Sequence, residues 1–474
     1  MLWFLKNSLI RNSICAGFAL IALIAHVNGQ RDFVILDSIL IHGNKKTRRN
    51  VILHEIDFHS GDTISLQMLS GKLISIEKRL QSIGIFTAAK INVKNWKTDV
   101  NICNIDITVQ ENWYLYPYII FELADRNFNV WRKEQNYSFA RVNYGLALNH
   151  INLTGNKDKL KIKIQRGFTK KYEVTYDFPY LKNKWGIFFN YLYSENREIA
   201  YKTLNNKLVF YKKPDDGKLF FRHRAGIGVT HRTNAQTNQI LKIEYLTATV
   251  DSVISGDLNP DYFGAGRLAL NYPSLDYLFR YNNTIYPQYP TGGYDIELNF
   301  RKEGLGVLNK TNNTWISFSF EKHSSLNNRF VLSNRMKLKY NFQNTVLPYF
   351  LNYSIGYNND NIAGYQLYVI DGRNFIISNN AIKYRLLDKD INLGDNLPRQ
   401  LKIMNFKIYS RFNFDLGYAS DPAYGKNNFL TNKLNYGYGP SFDIIIFNNV
   451  ALSCQYGITG FGDKGFFFES GVNF

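Results

Sequence analysis

His54-Glu55 followed by His59, and Gly71-Lys72, are the places where this chain comes nearest to a catalytic motif. Two histidines four apart on a helix would hold zinc with the glutamate between them as base, but His59 stands one position too far along. Gly71-Lys72 lacks the upstream glycine that a phosphate-cradling loop needs, and no Gly-x-Ser-x-Gly elbow occurs. The cysteines, Cys15, Cys103 and Cys454, lie in no ligand-spaced motif and give no support for a disulfide. No enzyme, cofactor or metal is therefore expected; a triad scattered over a barrel lumen is the enzymatic alternative. The chemistry these residues do support is noncovalent. In Gly465 to Phe474 a period of two puts Phe466, Phe468, Ser470, Val472 and Phe474 on one face, and Phe467, Glu469, Gly471 and Asn473 on the other. One face suits lipid and the other water, and the segment has the length of a tilted strand that crosses a hydrocarbon layer. Taken alone, it would serve equally as an amphipathic edge strand of a soluble sheet.

Composition favours the membrane reading. The 474 residues include 33 Tyr and 35 Phe against 6 Trp, aromatics reach 16%, and yet mean hydropathy is slightly negative at -0.28. A helical membrane protein would be more apolar and would show unbroken runs of about 18 residues or more. In a membrane β-barrel half of each strand is polar and aromatics form the girdles, which accommodates both facts. The formal net charge of +19 invites a nucleic-acid reading, but the lysines are not gathered into a patch. Lys159, Lys161 and Lys163 alternate with Leu160, Ile162 and Ile164, which places the charge on a water-filled inside, and no nucleic-acid partner is expected.

Residues 1–29 read as a secretory leader, with Lys6 and Arg11 ahead of an apolar core from Ala16 to Val27 and a cut expected before Gln30. Residues 30–111 read as one small α+β module in the order strand, helix, helix, strand, strand. Phe33 to Ile41 is the first strand, Gly43-Asn44 a turn, and Thr47 a cap for a helix over Arg48 to Glu55. Gly61-Asp62 turns the chain again. A second helix from Ser65 carries Leu66, Leu69, Leu73, Ile76, Leu80 and Ile83 at helical spacing until Gly84 stops it. Strands follow at Ala88 to Val93 and Val100 to Val109. The run Ile41 to Thr47, then Gly61-Asp62, then Ile83-Gly84-Ile85-Phe86, resembles a POTRA domain of the BamA/TamA-like outer-membrane assembly family. Gly43, Asn44, Gly61, Asp62 and Gly84 are its turn residues and Phe86 a plug under the sheet. The resemblance implies partner binding by strand addition at a sheet edge.

From Trp113 on, over residues 112–474, the period of two persists with turn residues between strands and no helical interruption expected. Val142 to Leu148, Tyr172 to Phe178, Tyr294 to Phe300, Met336 to Phe342 and Phe406 to Leu416 all alternate. At about 22 residues per strand with its connection, the segment yields a mainly-β fold, an antiparallel transmembrane barrel of about 16 strands. Glu122 to Phe128, shortly after Trp113 to Pro117, resembles the start of the barrel in the same family. Pro117 lacks a ladder donor and belongs on a weakly paired strand. A lateral seam is therefore expected between Tyr118, Ile119, Ile120 and Phe121 on one side and Phe466, Phe468, Val472 and Phe474 on the other. A third likeness is Gly364-Tyr365, Tyr368 to Gly372 and the strand with Lys383, Tyr384 and Arg385, which matches the family's lumen-docking loop. Ala363 stands where the family carries an arginine. The lumen-loop set is Gly364, Tyr365, Asp371, Gly372, Arg373 and Arg385; without the arginine the loop is expected either to be held by Tyr365, Asp371 or Arg373, the last near enough to substitute though in a different register, or to be more mobile than in relatives. The resemblance implies an outer-membrane protein with its POTRA-like module in the periplasm, which assembles β-barrel clients by templating strands at the seam. Unfolded barrel clients and outer-membrane lipid are the implied partners, with accessory envelope proteins as further candidates. A secretion pore for a dedicated partner and a passive porin are the alternatives.

Overall fold

The computed structural model of the chain describes residues 33–182, 184–234, 236–285, 289–306, 311–343, 345–357, 360–394, 403–447 and 450–472. The leader expected over residues 1–29, with Cys15, lies outside these, as does Phe474. The chain divides into two compact units between Asn112 and Trp113.

The first unit runs β1 (Phe33–His42), α1 (Arg49–Leu53), β2 (Thr63–Ser65), α2 (Leu66–Ser82), β3 (Phe86–Lys97) and β4 (Ile102–Glu111). The sheet order is β2-β1-β4-β3, with β1 and β4 parallel and the other pairs antiparallel. Val34 and Leu36 of β1 and Ile105 and Ile107 of β4 bury one sheet face, on which Leu69, Ile76 and Leu80 of the α2 stripe are buried as well. Each such side chain contributes about 1.5–3 kcal/mol through its removal from water. A bulge between Leu36 and Ser38 shifts the alternation so that Ile39 is the next buried position. Gly43 turns the chain at φ +87°, and a Cβ there would lie 1.9 Å from the Val109 carbonyl oxygen, so only glycine fits. Two expectations need correction. Thr47 does not cap α1: the N-cap is Arg48, and Thr47 is buried with its N–H donated to the Glu111 carboxylate at 2.6 Å. The carboxylate at the end of β4 thus satisfies the turn, and no side-chain cap is needed. The three residues of β2 were also not expected, because a strand that short shows no period.

The second unit begins with β5 (Leu115–Leu123), α3 (Phe128–Lys133), β6 (Val142–His150), β7 (Lys159–Gly167), β8 (Thr169–Lys182) and β9 (Trp185–Asn196). A separate hairpin follows, β10 (Glu198–Leu204) and β11 (Lys207–Lys212). Then come β12 (Phe220–Arg232), β13 (Thr237–Val250), β14 (Ala269–Asn282), β15 (Gly293–Glu303), β16 (Asn313–Ser325) and β17 (Phe330–Asn341). The last strands are β18 (Asn374–Asn392), β19 (Ile403–Ser420), β20 (Leu434–Ile446), β21 (Val450–Thr459) and β22 (Lys464–Val472). All but β10 and β11 form one 16-stranded antiparallel sheet in sequence order, with β5 and β22 at its ends.

The sheet is inside-out relative to a soluble protein. Along β20, Leu434, Tyr436, Tyr438 and Phe442 are exposed while Asn435, Ser441 and Asp443 are buried. The polar face is the inner one because its groups find partners there: Arg411 donates to Asp443 and Ser453, and Tyr289 to Asp443. Lys161 and Lys163 share the face of buried Gln165, and Ile164 on the other face is exposed. The expectation of no helical interruption is corrected by α3. Six residues are too few to disturb a period of two, and this helix is started locally by Asn127, whose side chain accepts from the Val130 N–H at 3.0 Å.

Candidate functional site

The two end strands carry the expected seam residues in alternation. On β5, Ile119 and Phe121 are strongly exposed while Ile120 is buried and Tyr118 half-buried; on β22, Phe466 and Phe468 are exposed and Phe467 is buried. Val472 is paired with Val450 at the end of β22. Pro117 lies opposite Leu148 of β6, on the strand that ends the sheet. Among the described residues β5 pairs with β6 and β22 with β21, and neither pairs with the other. The free side of β22 is met by α3. Asn129, fully buried, accepts from the Phe468 N–H at 3.1 Å and donates to the Phe468 carbonyl at 3.4 Å. Arg132 donates to the Phe466 carbonyl at 3.1 Å, and Phe128 meets the Phe468 ring edge-on.

The connection that holds α3 is closed at its base by a buried ion pair, Asp125 with Arg141 at 2.7 Å; Arg141 also binds Glu198 and lies over the rings of Phe168 and Phe210. Between these anchors, Arg126 reaches the long connection from residue 342 to 373. Its guanidinium donates to the carbonyls of Gly356 at 2.8 Å, Tyr368 at 3.0 Å and Leu367 at 3.2 Å, and Asn127 donates to that of Gln366 at 2.6 Å. One short segment therefore holds both the inner loop and the edge of the last strand.

The loop lies on the sheet where the sheet has no side chains. A Cβ on Gly437 of β20 would come within 1.9 Å of the Ala363 carbonyl oxygen, one on Gly457 of β21 within 2.6 Å of Gly364, and one on Gly417 of β19 within 2.5 Å of Ile362. Gly364 itself has φ +85°. At Ala363, Asp415 of β19 accepts the Ala363 N–H at 2.9 Å and also the Asn380 N–H at 3.2 Å. Tyr365, buried, donates to the Tyr436 carbonyl at 3.1 Å. Asp371, also buried, accepts from the Tyr357 hydroxyl at 2.7 Å; burial pushes its carboxyl up to about 6, opposed by the hydroxyls of Thr203 and Tyr357. Gly372 packs against Ala419, and its N–H donates to the Asn352 carbonyl. Arg373 donates its backbone N–H to the Ser420 carbonyl at 2.8 Å. Arg385 pairs with Asp388 at 2.8 Å along β18, away from this set. The buried tip of the β10–β11 hairpin joins the dock, with Asn206 donating to the Val369 carbonyl at 2.9 Å.

The structure places Gly364, Tyr365, Asp371 and Gly372 in the docked loop and the expected seam residues it describes on the two end strands, while Arg126, Asn129, Arg132 and Asp415 were not among the expected residues. Arg126 lies inside a run singled out for its position at the start of the barrel, but its partners are about 240 residues away and no spacing marks them. Gly417, Gly437 and Gly457 did leave a signal, an interval of twenty residues between each. In the first unit, Gly61 and Gly84 both turn at positive φ, Asn44 donates to the Thr47 carbonyl, Asp62 accepts the His59 N–H, and Phe86 is buried. Among the described residues there is no group of three or more His, Cys, Asp or Glu placed to hold a metal.

A small α+β unit followed by a 16-stranded inside-out sheet, with a loop docked on its inner wall, defines a POTRA-plus-barrel protein. Residues 34–112 match the family model described as POTRA, surface antigen variable number repeat. The fold is similar to that of BamA from Haemophilus ducreyi lacking POTRA domains 1-3, with a TM-score of 0.59 at 13% identity over 93% of this chain and 85% of that one. It is also similar to CdiB from Escherichia coli, with a TM-score of 0.56 at 10% identity over 93% of this chain and 76% of that one. CdiB from Acinetobacter baumannii gives 0.51 at 10% identity, over 93% and 74%. No curated protein matches the chain. The chain thus joins a POTRA-matching domain to a barrel whose fold is similar to those of BamA and CdiB.

Proposed function

We propose that this protein resides in an outer membrane of the Gram-negative type, with its POTRA domain in the periplasm, and assembles other β-barrel proteins by strand templating at the seam. The observation that carries this reading is a 16-stranded sheet whose first and last strands are not paired with one another among the described residues. A client hairpin that enters lipid alone carries unpaired N–H and C=O groups, each costing several kcal/mol. A sheet edge at the membrane offers those groups partners, so the barrier falls without a nucleotide, metal or cofactor. Unfolded barrel proteins and membrane lipid are the partners this requires, with accessory envelope proteins binding along the POTRA sheet edge.

The second reading is a secretion pore for one dedicated partner, favoured by the one POTRA match among the described residues. Purified protein in liposomes separates the two. An assembly factor accelerates membrane insertion of an added urea-unfolded barrel protein, whereas a secretion pore leaves that rate unchanged and moves its partner into the lumen. Passage of small solutes alone would favour a porin and overturn both.

A further inference from the structure

A strand edge in a membrane sheet is normally completed by another strand. At Phe466 and Phe468 of β22 it is completed by side chains. The Asn129 carboxamide has the donor and acceptor of a peptide group, and it presents both to Phe468, as a neighbouring backbone would. Arg132 covers the next edge carbonyl, that of Phe466, and its guanidinium also lies over the Phe468 ring at 5.6 Å. Positions 466 and 468 present their groups to the same side because a strand alternates. By the same alternation the backbone groups of Ser470 and Val472 also point to the free side.

We propose that α3 is a built-in edge cap, with Asn129 and Arg132 standing in for a strand, and that it competes with β5 for the edge of β22. Strand β5 fits as the competitor because it ends the sheet on the other side and shows Ile119 and Phe121 to lipid as β22 shows Phe466 and Phe468. The cap is suited to displacement. A helix of six residues has little stability of its own, and its position is set by Asn127 and Arg126 on the lumen loop. Movement of that loop would therefore release the cap and let the barrel close.

The test uses the full-length protein in liposomes, with Cys15→Ser, Cys103→Ser and Cys454→Ser and a cysteine pair introduced as Ile119→Cys and Ser470→Cys. The rate of disulfide formation under mild oxidant reads closure of the seam. In the Asn129→Ala/Arg132→Ala variant the rate should rise about tenfold or more, as expected for the loss of at least one net hydrogen bond. Asn129→Ala alone, which leaves the Arg132 bond to the Phe466 carbonyl in place, should give a smaller rise. An unchanged or slower rate would overturn the proposal. So would loss of the heat-modifiable folded band in both variants, since a cap is dispensable to the sheet it covers. No client enters the assay, so its outcome is independent of the assembly reading.

Discussion

Arg126 holds three carbonyls of the 342–373 loop with one guanidinium, and a hydrogen bond to a charged donor contributes about 1.5–3 kcal/mol. Arg126→Ala should weaken the dock by about 3 kcal/mol, a factor on the order of 100 in the docked population. Limited proteolysis of the loop in reconstituted protein would then be correspondingly faster. Arg126→Lys should rescue little, because an ammonium cannot span the fork of carbonyls that a planar guanidinium reaches. Equal protection in wild type and Arg126→Ala would place the anchor at Tyr365 and Asp371 instead. Gly437 makes the complementary prediction from the wall side. A methyl group 1.9 Å from the Ala363 oxygen cannot be accommodated, so Gly437→Ala should lift the loop at a cost of about 1–3 kcal/mol. The same substitution at Gly462, where nothing lies within 4 Å of the added carbon, changes no packing and controls for generic effects, although its φ of +98° adds local strain.

At the scale of the element, the docked loop carries a pH dependence. The carboxyl of Asp371 is pushed by burial to about 6, above the value near 3.9 of an unfolded aspartate. A raised folded value means that the docked state binds the proton more tightly. The contribution to docking is thus fully present below about pH 4 and is lost as pH rises through about 6. Proteolysis of the loop should be slower at pH 5 than at pH 7.5, and Asp371→Asn should flatten the difference while keeping an acceptor for Tyr357. A pH profile that Asp371→Asn leaves intact would assign it to another group. In the same element Asp415 accepts backbone N–H groups of Ala363 and Asn380, and the charge that reaches the loop backbone comes from Arg126 in the connection after β5.

The whole molecule is two units, each with its own buried set. The barrel's inner network, such as Arg301 with Glu244, Asp276 and Glu303, is contained within the second unit. Removal of residues 33–112 should therefore leave a barrel that refolds in detergent and keeps its heat-modifiable mobility. Under the assembly reading, the truncated protein should lose most of its acceleration of client insertion. Retained acceleration would show that the POTRA domain only delivers clients in the cell, and a barrel that fails to refold would show that the units depend on each other.

The sequence by itself determined the features that rest on alternation and on local turns. A period of two with aromatics on one face and Asn, Asp, Lys and Ser on the other can be buried only one way round in lipid, so strand positions, sheet class and the number near sixteen were legible. Gly43, Gly61 and Gly84 were legible because a positive φ is a local demand. Tertiary structure alone decided which distant groups meet. Arg126 and the carbonyl of Tyr368, Asn129 and the backbone of Phe468, and Asp415 and the N–H of Ala363 are pairs in which at least one partner is a backbone group, identical at every residue. A backbone partner leaves no mark on residue type, so no pattern in the sequence announces it. Only the folding of the sheet around its loop selects which carbonyls Arg126 reaches and which edge Asn129 completes.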